Sequence, residues 1–167
     1  MSAEDQGKTF AEFVRRELEA ERERRKTLDG RGVTIITTSG TLAALIAAVG
    51  AFATGRPGFR LPDAAAGPLK LTLVMFAAAG VFGIISTRLT LYAVTPPHVL
   101  REMLGDRWNT DEVDARNFVS EQDVKTIESL RSGNNEKAGW LIAALVTQVV
   151  GLVALTYAVY EVLGRAG

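Results

Sequence analysis

Gly32–Gly55 reads GVTIITTSGTLAALIAAVGAFATG, 24 residues without a charge between Arg31 and Arg56. At ~1.5 Å of rise per helical residue the run covers roughly 36 Å, enough to cross a hydrocarbon core ~30 Å thick with some tilt. Two more runs follow. Leu71–Thr87 holds 17 uncharged residues between Lys70 and Arg88, and Ala138–Tyr160 holds 23 between Lys137 and Glu161. Soluble cores rarely need three such runs. The chain therefore reads as an all-α integral membrane protein with three transmembrane helices, placed at 32–55, 69–94 and 138–160.

The charges fall between these runs. Lys and Arg number 19, as do Asp and Glu, so the net charge is zero, but the charges lie in blocks rather than interspersed. Residues 1–31 form a charged amphipathic helix. Thr9 and Glu12 have capping-box spacing at its start, and Phe10, Phe13, Val14 and Leu18 share one face. Gly30 and Gly32 predict a bend before the first span, with a helix running continuously into it as the alternative. Residues 56–68 read as an external loop punctuated by Pro and Gly. Residues 95–137 read as a cytoplasmic segment of two or three helices, with a fresh start at Ser120–Asp123 and a stop at Gly133. Residues 161–167 are an external tail. The N-terminal segment and the segment Arg88–Lys137 carry fifteen Lys and Arg, against four elsewhere (Arg56, Arg60, Lys70 and Arg165). The positive-inside rule then places the N-terminus and the long loop in the cytoplasm and the C-terminus outside, in a plasma membrane.

Within the spans, small residues recur at the four-residue spacing that lets helix backbones approach closely. Gly40 and Ala44 form such a pair, as do Ala79 and Gly83. Gly139, Ala143, Thr147 and Gly151 form the longest seam. Two polar groups are costly where they stand. Gln148 lies near the centre of the third run and calls for a partner, and Arg88 lies inside the end of the second span if that helix reaches Tyr92. Tilting against each other or against a second copy, the seams lead us to expect a homo-oligomer in the lipid bilayer.

Chemistry is sparse. There is no Cys and a single His, His98, so thiolate nucleophiles and zinc sites are not expected. Asp106, Asp111, Glu112 and Asp114 lack the spacing of a calcium loop. No nucleotide-binding, zinc-protease or hydrolase motif occurs. No cofactor, no enzyme activity and no nucleic-acid partner are expected.

The order of parts carries a resemblance. A charged helix leads through Leu28-Asp29-Gly30-Arg31-Gly32 into a span with Thr37-Thr38-Ser39-Gly40. After a second span, a helical segment ends in Ser129-Leu130-Arg131-Ser132-Gly133-Asn134, and Lys137-Ala138 opens the last span. This is similar to small bacterial transmembrane effectors of anti-phage defence, in particular those of pyrimidine-cyclase (Pycsar) systems, with Arg31-Gly32 in place of their Lys-Ala. The resemblance implies an inner-membrane effector that oligomerises and impairs membrane integrity when a cytoplasmic trigger protein or nucleotide signal acts on it. The sequence also looks like actinobacterial integral-membrane proteins associated with plasmid transfer, which would imply a non-catalytic scaffold or transfer accessory.

Overall fold

A computed structural model describes residues 5, 7–55, 61–88 and 93–164. The four elements among the described residues are all helices: α1 (Lys8–Thr54), α2 (Asp63–Thr87), α3 (Pro97–Leu104) and α4 (Glu112–Gly164). No strand occurs among the described residues. Three of the helices, α1, α2 and α4, are long and apolar enough to cross a membrane.

The helices ignore the breaks expected of them. α1 runs without interruption through Gly30, Arg31 and Gly32. α4 likewise runs through Ser120 and Gly133, where separate helices were expected. A glycine inside a helix costs about 1 kcal/mol relative to alanine, and tertiary packing outweighs that. α2 begins at Asp63, so the expected loop is shorter and Pro68 falls inside the helix. α2 ends at Thr87, well before the Val94 expected, with Arg88 as its C-cap. The stretch 89–92 lies outside the described residues, as do Arg56, Arg60 and Arg165. The α4 start is capped by Asp111, whose Oδ1 accepts from the N–H of Val113 at 2.8 Å and of Asp114 at 3.0 Å.

The chain divides into two units, each with its own packing. In the charged unit (Met1–Thr27 with Leu89–Glu136), α1 and α4 run parallel. Leu18 meets Ile127 and Leu130, with Val14 packed beside them. The buried α4 positions Ile127, Leu130 and Asn134 are spaced by three and four, the repeat of a coiled-coil seam. α3 also belongs to this unit, and the guanidinium of Arg107 lies 4.1 Å from the centre of the Phe118 ring.

In the apolar unit (Leu28–Arg88 with Lys137–Gly167), α1 and α4 again run parallel, and α2 is antiparallel to both. Leu28, Ile35, Leu141 and Ala144 form the core, with Phe82 and Ala138 packed on it. The α4 positions Lys137, Ala144, Gly151 and Ala158 are buried at seven-residue intervals. Phe82 and Trp140 pair across α2 and α4 with ring centres 5.7 Å apart. Val33, Val74, Ile84, Ile142 and Val153 remain exposed, as residues facing lipid would be.

Candidate functional site

The helices bury several polar groups, and each unit has its own set. In the charged unit the centre is Glu21, only 7% exposed. Arg131 donates from Nε to Glu21 Oε1 at 2.9 Å and from Nη2 to Glu17 Oε2 at 3.0 Å. Asn134, fully buried, donates from Nδ2 to Glu21 Oε2 at 2.9 Å and to the Glu21 carbonyl at 3.0 Å. Arg24 stands 3.6 Å from Glu21 Oε2 and donates to Asn135 Oδ1 at 3.0 Å. Asn134 thus ties one helix to both the backbone and the side chain of the other. A buried amide on such a seam specifies register. Its Oδ1 is buried without a hydrogen-bond partner.

Burial works against the charge of Glu21. The hydrogen bonds from Arg131 and Asn134, together with the charges of Arg131 and Arg24, outweigh it and hold the carboxyl below its usual 4.5. A carboxylate kept ionised with both oxygens occupied is not poised for proton transfer near neutrality; its work is structural. The folded state therefore binds this proton less readily than the unfolded state. Its stabilisation is complete above about pH 4.5 and fades as pH falls through the lowered folded value. Denaturation midpoints followed by far-UV circular dichroism should drop on acidification below that point. Glu21→Gln should flatten this part of the curve, and superimposable acid profiles for the two proteins would contradict the assignment.

In the apolar unit, Lys137 is 4% exposed and forms an ion pair with Asp29. Further along the same helices, Gln148 donates from Nε2 to Thr38 Oγ1 at 3.0 Å. Thr38 in turn donates back along α1 to the Thr34 carbonyl at 2.9 Å. Thr72 of α2 donates to the Pro68 carbonyl at 3.0 Å and stands 3.3 Å from the Gly151 carbonyl of α4. The Ser39 hydroxyl is buried with no partner.

The small residues singled out by spacing fall into two groups. Ala79 and Gly83 are buried. A side chain at Gly83 would stand 2.9 Å from Ile36 Cγ1 and 3.3 Å from the Gly32 carbonyl. Gly151 is buried against Met75 and Phe76, where an added side chain would stand 3.0 Å from Phe76 Cε1 and 3.1 Å from Met75 Cβ. Ala143 and Thr147 are half-buried, and the Thr147 hydroxyl donates to the Ala143 carbonyl at 2.8 Å. Gly40, Ala44 and Gly139, by contrast, are exposed, and around Gly40 and Gly139 there is open space. The seam Gly139–Gly151 is thus open at one end and closed within the chain at the other. Arg88 is exposed at the end of α2, its backbone N–H 3.4 Å from the Ile85 carbonyl.

Three features were not singled out by sequence reasoning: the Glu21–Arg131–Asn134 network, the Asp29–Lys137 pair and the close approach at Gly32. One signal for the α4 residues was present. Asn134 lies seven residues after Ile127, and Lys137 lies seven after Leu130, on the same repeat as the apolar positions.

No family model matches the chain, and no curated protein or solved structure matches it.

Proposed function

We propose that this protein is a non-catalytic inner-membrane effector of bacterial anti-phage defence, which assembles with further copies of itself and impairs membrane integrity. Its N-terminus and the helical segment 95–137 lie in the cytoplasm, where a trigger protein or nucleotide signal acts, and its C-terminus lies outside. The observation that carries the reading is the exposure of the small residues Gly40 and Ala44 on α1 and Gly139 on α4. Lipid supplies no hydrophobic reason for apolar helices to associate, so small residues that allow close backbone approach favour self-assembly. The buried carboxylate and amide groups support the absence of catalysis, since they are engaged with one another. The order of parts shared with the transmembrane effectors supports the defence role.

The test is membrane potential, read by dye fluorescence in single bacteria after induced expression, with and without phage. Depolarisation is expected, and Gly139→Leu should abolish it at equal protein level by blocking assembly. The same variant should reduce oligomer size in detergent. An intact potential under both conditions, with normal growth, would favour a scaffold or plasmid-transfer accessory instead.

A further inference from the structure

Gln148 is the one amide side chain in the three charge-free runs. It stands ~15 Å along α4 from Ala138 and ~18 Å from Tyr160, near the middle of the span. An amide offers two N–H donors and one carbonyl. One donor is used within the chain, where Gln148 Nε2 donates to Thr38 Oγ1 at 3.0 Å. Thr38 directs its own proton to the Thr34 carbonyl, so it can only accept, and this fixes which end of the amide faces it. Gln148 Oε1 has no hydrogen-bond partner among the described residues, and it is not buried. The amide is half-paired, and its carbonyl reaches the surface of the apolar unit. Hydrocarbon has no donor to offer it, and an unpaired amide in an apolar medium is costly. The surface on either side is a pair of stripes. On α1, Thr34, Thr41 and Leu45 share the stripe of Thr38 at spacings of three and four, and on α4, Leu145 and Leu152 share that of Gln148. All five are exposed. This is the spacing at which one helix presents a face to another.

We propose that this face joins a second copy of the chain, with the two Gln148 amides paired in mid-membrane. Copies related by an axis along the membrane normal hold identical residues at identical depth. The group that every such copy brings to the depth of Gln148 is another Gln148. An amide complements itself: the free Nε2 proton of each copy meets the Oε1 of the other. The proposal rests on the self-assembly reading above and names the face that carries it. That face is not the one bearing Gly139, which lies nine residues earlier and therefore about half a turn round α4.

The test uses the full chain in vesicles of phosphatidylethanolamine and phosphatidylglycerol. The chain has no cysteine, so single cysteines report on the face. Under copper phenanthroline, Leu145→Cys and Leu152→Cys should form disulfide dimers severalfold faster than Val146→Cys and Val153→Cys. Those two positions are exposed one residue further on, about 100° round the helix. Association is read separately, as energy transfer between copies labelled at Ser2→Cys while lipid is added. Gln148→Leu should weaken it about tenfold, the order that amide bonds between membrane helices supply. Thr38→Val releases the second donor and keeps the amide, so it should not weaken association. Equal cross-linking of the two cysteine sets overturns the proposal, as does association that Gln148→Leu leaves unchanged. An equal loss in Thr38→Val and Gln148→Leu would make the bond a brace within one chain and overturn it too. Modification of Leu145→Cys by a charged methanethiosulfonate would place water at the face, with the same consequence. Association that Gly139→Leu lowers and Gln148→Leu does not would overturn this face and leave self-assembly standing. No association in any of the proteins would overturn both. A cross-linked pair in a chain that leaves the membrane potential intact supports the face and counts against the defence role alone.

Discussion

Asp29→Ala should destabilise the chain by about 3 kcal/mol, because it strands a buried ammonium group. The Lys137 side chain is 5% exposed, whereas that of Asp29 is 39% exposed, so the two residues are not equivalent. Removing the carboxylate leaves Lys137 buried, with this partner gone. Removing the lysine instead leaves a carboxylate that water reaches, so Lys137→Met should cost less. The double variant Asp29→Leu with Lys137→Met should recover most of the loss, since apolar replacement of a buried pair is often close to neutral. Unfolding in mixed detergent micelles with increasing dodecyl sulfate measures all three. Equal losses for Asp29→Ala and Lys137→Met would mean that the burial of Lys137 does not govern the pair.

The second large effect is expected at Gly32. A β-carbon there would collide with Thr87 Cγ2 and stand 2.7 Å from Ser86 Oγ and 3.5 Å from the Gly83 carbonyl. Ser86 cannot swing away freely, because it is buried and its hydroxyl donates to the Gly83 carbonyl at 2.7 Å. The Ser86 and Thr87 side chains of α2 thus pack directly on the Gly32 backbone. Gly32→Ala should therefore cost about 1–3 kcal/mol by overpacking, and Gly32→Leu more. Gly30 is the control. It lies two residues earlier in the same helix, is exposed, and has nothing within 4 Å of an added β-carbon. Gly30→Ala should stabilise by about 0.5–1 kcal/mol through helix propensity alone. If the two alanine variants shift the unfolding midpoint in the same direction, the close crossing at Gly32 is not what the glycine serves.

These two glycines show where sequence reasoning stops. Gly30 and Gly32 both read as weak points in a helix, since local propensity is the same for either. Only the arrival of α2 separates them: one faces open space and the other the Ser86 and Thr87 side chains. The small-residue pairs have the same ambiguity. Gly40 and Gly83 sit in similar apolar runs at similar spacing, yet one is open and one is covered. Spacing reports which residues share a face, not what that face meets. The helix ends expected at Ser120 and Gly133 failed for a related reason. A cap-like residue or a glycine marks a local option, and continued burial at Ile127, Leu130 and Asn134 is worth more than taking it.

What the sequence determined by itself is what depends on composition along one line. Charge-free runs of 17 to 24 residues are read directly as helices long and apolar enough to cross a membrane, because the thickness of hydrocarbon sets a length that a count of residues meets. The Gln148 amide, placed within an apolar run, also announced its need for a partner, since an amide in an apolar surrounding is costly alone. What only the tertiary structure decided is which partner answered: Thr38 for Gln148, Asp29 for Lys137, and Glu21 for Asn134 and Arg131. Those pairings join residues more than a hundred positions apart in the chain. They exist because α1 and α4 run side by side in the same direction, and no property of either helix taken alone specifies its register against the other.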